Sequence, residues 1–259
     1  VRHSQEFSRR SARAIPLLAL VFGVLPLVTV VSVGWQQVSW SVGPGYEVLL
    51  DPGMIVPPLT VLAVVGYAWA QRHRPGRWAG PSVFVGLFAG GMWGPHVDVL
   101  PLEYATYQTP IAVVGGAIIA NRLAAWARRI LVKPLTPELA DSPLELPVVA
   151  RGCERATFYL GTEVLSVRVL RVRSDGQRHH DDRIPLAEIT SARRVDLLGG
   201  EPLVAPRPEN ALIPAATAGP AVTVTAGSRE WIIPLDGGDV DAAVAILRRR
   251  VTRETTTVR

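Results

Sequence analysis

Four stretches without a charged side chain dominate the first half of the sequence, at residues 14–34, 52–71, 78–97 and 104–121. An α-helix rises about 1.5 Å per residue, so about 20 residues cover the roughly 30 Å hydrocarbon core of a bilayer with every backbone group bonded inside the helix. Each stretch is therefore predicted to span a membrane. The first, AIPLLALVFGVLPLVTVVSVG, is the most apolar, and the third, WAGPSVFVGLFAGGMWGPHV, is rich in glycine.

The segments between the stretches carry an orientation signal, because retained Lys and Arg mark the cytoplasmic side. Arg2, Arg9, Arg10 and Arg13 precede the first stretch, Arg72, Arg74 and Arg77 follow the second, and Arg122, Arg128, Arg129 and Lys133 follow the fourth. Residues 35–51 and residues 94–109 contain neither Lys nor Arg. This alternation predicts four crossings with both termini in the cytoplasm. Six of the seven tryptophans, Trp35, Trp40, Trp69, Trp78, Trp93 and Trp126, fall near the ends of the stretches, where an indole suits the headgroup layer. A soluble all-helical core would not arrange charge and tryptophan in this way. The Ser8-Arg9-Arg10 start also has the look of a twin-arginine signal. The apolar run is too long for that reading and no Ala-x-Ala site follows it, so an uncleaved first helix is expected.

The net charge of +5 would suit a nucleic-acid binder if it lay on a soluble domain, so its location decides. Residues 1–133 hold 11 Lys and Arg against 5 Asp and Glu, whereas residues 134–259 hold 16 against 17. The basic excess belongs to the apolar half, and nucleic acid is not an expected partner; the lipid bilayer is.

Gly86, Gly90 and Gly94 recur every four residues, as do Ala112, Gly116 and Ala120. Each set forms a small-residue strip along one helix face, which allows close backbone approach. An intramolecular helix hairpin is preferred to a homo-oligomer seam, and a pore is disfavoured because the strips carry no polar side chains. Intramembrane charge is nearly absent. His96, Asp98 and Glu103 gather at the outer end of the third stretch and form a candidate outer-face polar cluster, with Tyr104 and Tyr107 near; a solvated loop is the competing reading, and Glu47 and Asp51 in the other outer loop share it. Pro57-Pro58 marks a helix start or kink.

After Lys133 the pattern changes. KPLTPELADSPLELPVVA, with prolines at 134, 137, 143 and 147, reads as a semi-rigid linker over 133–150. Then come short β-type runs: ATFYL, EVLSVRVLRVR, RIPLAEIT, SARRVDL, AVTVT and REWIIPL. In EVLSVRVLRVR the alternation slips by one residue, predicting a bulge near 169. SDGQRHHDDR reads as a turn, and AGS as the turn of a hairpin. Val240, Val244, Leu247 and Val251 line one face of a closing helix, with Asp236, Asp239 and Asp241 at its start and Arg248, Arg249 and Arg250 at its end. The arginines complement the helix dipole; the functional alternative is contact with anionic headgroups of the inner leaflet.

These short strands, the RIPLAEI run at 183–189, the REWIIPL run at 229–235 and the closing amphipathic helix resemble the bacterial pleckstrin-homology-like group over residues 151–250. The resemblance implies a partly open β-barrel capped by a helix and used for binding, and it implies no catalytic residue. The long Pro/Ala-rich connection GGEPLVAPRPENALIPAATAGP departs from that pattern.

HExxH, GxSxG, GxxxxGK and GxGxxG are all missing from the sequence. His179-His180-Asp181-Asp182 is the densest run of metal-ligand residue types, but neighbours on a strand face opposite ways. Cys153, the single cysteine, is expected to pack as a small hydrophobe. No catalytic residue, metal or cofactor is expected. The sequence thus predicts an α+β membrane protein: a cytoplasmic segment 1–13, a four-helix transmembrane bundle within 14–132, the linker 133–150, a cytoplasmic pleckstrin-homology-like β-barrel or sandwich with its C-terminal helix over 151–251, and a tail 252–259. The expected role is a non-catalytic plasma-membrane protein presenting a binding or scaffolding domain to another membrane or cytoplasmic protein. The alternative is a small transporter or channel-like protein regulated by its β-domain.

Overall fold

The computed structural model describes residues 2–40, 52–93, 105–173, 176–205 and 215–257. The chain divides into two compact units, one of Arg9–Leu131 and one of Val132–Arg259 together with Val1–Ser8.

In the first unit, α1 (Arg2–Ala19), a π-helical turn (Leu20–Val24) and α2 (Leu25–Trp40) form one unbroken run. The wide turn stands directly before Pro26, whose ring would collide with the carbonyl four residues back and which has no N–H to donate. α3 (Pro52–Ala70) and α4 (Ala79–Trp93) follow, joined by a turn in which the Trp78 Nε1 donates to the Gln71 carbonyl at 3.1 Å. α5 (Ala105–Val132) closes the series. Hydroxyls in these apolar helices bond within their own helix: Thr29 Oγ1 to the Leu25 carbonyl, Ser32 Oγ to Val28, Thr60 Oγ1 to Val56 and Ser82 Oγ to Ala79. No partner from another helix is needed to satisfy them.

Two helices among the described residues are long and apolar enough to cross a membrane, Gln5–Ser32 and Tyr107–Val132. Only 22% of the most apolar window of the first and 17% of that of the second is buried inside the protein, whereas the core helix of a soluble protein would be mostly buried. Leu62 is 66% exposed and Ile119 61%. The chain is a membrane-associated protein in this sense, but the expected four-helix transmembrane bundle is corrected to two candidate spans. α3 is 19 residues long, about 28 Å, with Pro58–Ala70 as its apolar part, and the described part of α4 covers about 22 Å; neither is a candidate span among the described residues. An uncharged run is not a helix length: Trp78 belongs to the turn before α4, while the two spanning helices continue through Arg9, Arg10 and Arg13 and through Arg122, Arg128 and Arg129.

The second unit contains two antiparallel sheets. The first has the order β1–β2–β3–β4, from Leu146–Ala150, Cys153–Leu160, Val164–Arg173 and Gly176–Pro185. The second has the order β5–β7–β8–β6, with β5 Ser191–Leu197, β6 Val204–Ala205, β7 Gly219–Ala226 and β8 Arg229–Pro234. α6 (Gly237–Thr257) follows. The expected partly open β-barrel or sandwich is corrected to two separate antiparallel sheets, since no ladder among the described residues joins them. β4 ends at Pro185, and a 3-10 turn at Leu186–Glu188, held by the Leu186 N–H to the Glu163 carbonyl at 2.8 Å, redirects the chain into β5. The sheets are linked instead by point contacts. Arg151 donates its N–H to the Pro234 carbonyl at 2.8 Å and an Nη2 hydrogen to the Ala218 carbonyl at 2.7 Å.

Alternation places Leu146, Val148, Phe158, Leu160, Leu165, Val167 and Ile184 in the core from the first sheet, and Val222, Val224, Trp231 and Ile233 from the second. Phe158 and Trp231 meet edge to face, 6.2 Å between centroids. Val240, Ala243, Ile246 and Leu247 supply the buried stripe of α6. β7 and β8 form the hairpin expected from AGS, with Gly227 at φ 57°. Three local expectations change. β3 pairs residue for residue with β4 from Val164 to Arg173, so there is no bulge at 169; the bulge lies between β1 and β2 at Val149/Ala150. The linker is part of the unit, since Leu135, Leu139, Ala140 and Leu144 are buried and Leu146–Ala150 is a strand. The tail is helical as far as Thr257.

Candidate functional site

The densest polar constellation among the described residues is built on the last turns of α6. The same sequence that makes α6 amphipathic places Arg250 one turn beyond Ile246 and Leu247, on the buried stripe, and it is only 3% exposed. Its guanidinium meets five backbone carbonyls. Nη1 donates to Leu160 at 2.6 Å, Nη2 lies 3.0 Å from Leu139, 3.0 Å from Leu144 and 3.2 Å from Ser142, and Nε lies 3.3 Å from Ala140. Four of these acceptors belong to the segment after α5, which prolines 137 and 143 keep out of regular helix; a 3-10 turn at Pro137–Asp141 leaves its carbonyls available.

Arg249 donates to the Pro137 carbonyl at 3.2 Å, and Arg253 pairs with Asp141. Arg248 Nε donates to the Ala192 carbonyl of β5 at 2.9 Å. The triplet read as complementing the helix dipole, with inner-leaflet contact as the alternative, is thus divided: Arg248 and Arg249 have exposed side chains with a carbonyl partner each, and Arg250 is turned into the protein. Burial, and after it the charge of Arg253, lowers the Arg250 pKa to about 10, with Asp141 opposing the fall. It is still a cation at neutral pH. A buried cation surrounded by carbonyl dipoles binds and positions backbone; nothing in the constellation can act as nucleophile or general acid.

The remaining candidates are dispersed. His96, Asp98 and Glu103, like Glu47 and Asp51, lie outside the described residues. His179 to Asp182 occupy β4 rather than a turn, opposite Leu170 to Val167 of β3, so positions 179 and 181 share one face and 180 and 182 the other. Asp181 accepts from Arg168 Nε and Nη2, both at 2.9 Å, and this pairing holds the Arg168 guanidinium above its ordinary range against the opposing effect of desolvation. Both partners are partly exposed, so Asp181→Asn should cost no more than about 1 kcal/mol in denaturation of the full chain. A loss several times larger would show that the run organises the sheet. Cys153 is buried on β2. The small-residue strips face each other: a Cβ at Gly86 would fall on the Gly116 carbonyl, and one at Gly90 on the Ala112 carbonyl.

Sequence reasoning missed the inward turn of Arg250, although its spacing from Ala243 and Leu247 was a signal. It also missed Arg151, an arginine in a two-residue turn that no periodicity marks. No group of three His, Cys, Asp or Glu able to hold a metal occurs among the described residues. Comparison with family models, with curated proteins and with solved structures gives no match.

Proposed function

We propose that this is a multi-pass plasma-membrane protein, without catalysis of its own, that presents its C-terminal unit in the cytoplasm as a binding or scaffolding module. The observation that carries the reading is the low burial of the two long apolar helices, whose outward side chains need an apolar solvent. Two crossings return the chain to the side on which it began. The arginines at the start of the first helix and at the end of the second support a cytoplasmic assignment for both termini. The segment after α5 runs straight into the C-terminal unit through the carbonyls that Arg250 holds, which supports one continuous module behind the second helix.

The test is a carbonate wash of membranes containing the full chain, together with reporters fused after Lys133 and at the C-terminus. The protein should stay in the membrane pellet, and both reporters should show cytoplasmic activity. Release by carbonate would remove the membrane reading, and external activity at either fusion would remove the topology.

A further inference from the structure

We infer that the cytoplasmic end of α5 is a binding site for the phosphate headgroup of an anionic phospholipid, formed by Arg122, Trp126 and Arg129. The inference rests on the membrane reading above and adds a ligand to it. Two stripes run along opposite sides of α5. Ala120, Ala124, Ala127 and Leu131 are buried, and their spacing of three and four residues gathers them on the face that packs inside the protein. Ile111, Ile118, Arg122, Trp126 and Arg129 are exposed and share the opposite face, given about 100° of turn per residue. Neither guanidinium can turn inward unless the alanine stripe turns out.

Helix length and charge identify the occupant. Tyr107–Val132 has 26 residues and rises about 39 Å, against a hydrocarbon core of roughly 30 Å, so its last turns pass into the headgroup layer. Trp126 is 58% exposed there, where an indole is favoured. Arg129 stands in the same layer, and Arg122, two turns deeper, reaches it by running its aliphatic stem along the helix. Residues three and four apart on a helix are neighbours, so the indole stands between the two guanidinia. In the two-crossing topology this end faces the cytoplasm, the side on which the leaflet carries anionic lipid. α5 contains no Asp or Glu, and the four acids of residues 9–131, Glu47, Asp51, Asp98 and Glu103, all fall in sequence between the two candidate spans. Among the described residues neither Arg122 nor Arg129 has a side-chain ion pair or hydrogen bond, so both charges are open to a phosphate. A lipid meets both parts of the stripe at once, acyl chains against Ile111 and Ile118 and phosphate against the arginines, whereas free phosphate meets only the second.

The full chain purified in detergent would be mixed with equal amounts of phosphatidylglycerol and phosphatidylcholine, and bound lipid counted by native mass spectrometry. The wild type should retain phosphatidylglycerol preferentially, and excess inorganic phosphate should not displace it. Arg122→Gln and Arg129→Gln combined should lower the preference by about fivefold for each arginine removed, whereas Arg122→Lys and Arg129→Lys combined should keep most of it. Arg128→Gln is the control for position, because it removes the same charge from the same turn but off the exposed stripe; it should stay near wild type. The site is overturned by a double Gln variant that keeps the wild-type preference, by a double Lys variant as poor as the Gln one, by an Arg128→Gln loss equal to that of Arg129→Gln alone, or by displacement with phosphate alone. A chain that stays in the membrane on carbonate washing but shows no headgroup preference overturns this inference only; release by carbonate, or external activity of a reporter after Lys133, overturns both.

Discussion

Replacing Arg250 by alanine is expected to destabilise the C-terminal unit by about 3–5 kcal/mol, the range seen when one side of a buried charged network is removed. The three guanidinium nitrogens lie within hydrogen-bond distance of five carbonyls, Nη2 sharing its two hydrogens among Leu139, Ser142 and Leu144, Nη1 donating to Leu160 and Nε to Ala140, and no water-exposed path replaces them at a site that is 3% exposed. Arg250→Met keeps most of the stem volume, so it should lose nearly as much as alanine if the hydrogen bonds dominate, and clearly less if packing does. Lysine keeps the charge but has three donors in place of five and no planar fork, so Arg250→Lys should fall between. Arg249→Ala, which removes one carbonyl contact from an exposed side chain, should change stability by no more than about 1 kcal/mol. Amide exchange on the full chain in detergent reads the effect locally: protection should fall in residues 139–144 and in α6 together. Equal melting temperatures for wild type and Arg250→Ala would mean that the clasp is decorative.

That expectation shows where the sequence was legible and where it was not. Strands β2, β3, β5, β7 and β8 were readable because β-branched and aromatic residues alternate in short runs, and α6 because its apolar residues recur at helical spacing. What escaped was any placement that depends on non-local partners. Charge pattern alone reads Arg248-Arg249-Arg250 as one solvated cluster, yet α6 turns about 100° per residue and sends the third arginine to the opposite environment from the second. The same limit hid the role of the proline-rich segment: Leu139 and Leu144 look like linker residues until the carbonyls beside them are seen to need a donor. β4 was read as a turn because Gly, Gln, His and Asp are poor strand formers, and its pairing with β3 overrode propensity.

In the apolar half the sequence overstated crossings for a related reason. Freedom from charge is a property of composition, while a candidate span also needs a long apolar helix, and among the described residues Gln5–Ser32 and Tyr107–Val132 meet both conditions. The helix faces were better recorded than the helix ends, since a strip of glycines at four-residue spacing has few physical uses other than close approach.

Those glycines carry the second large effect. Gly90→Val should disrupt the first unit by several kcal/mol, beyond the usual 1–3 kcal/mol for overpacking by about one or two methyl groups, because the obstacle is backbone. A Cβ at Gly90 would coincide with the Ala112 carbonyl and the Val113 Cα, and one at Gly86 with the Gly116 carbonyl, none of which can rotate out of the way. Gly115 provides the control on the same helix as Gly116: nothing lies within 4 Å of a Cβ built there, so Gly115→Ala should be tolerated, or gain up to about 1 kcal/mol in helix propensity. Thermal melting in detergent should therefore fall sharply for Gly86→Val and Gly90→Val and stay near wild type for Gly115→Ala. Light scattering on the same samples separates the two uses of such a strip. A seam within one chain loses stability without changing the mass of the particle, whereas a seam between copies would lose mass first; a fall in mass at unchanged melting temperature would transfer the strips from the hairpin to an oligomer.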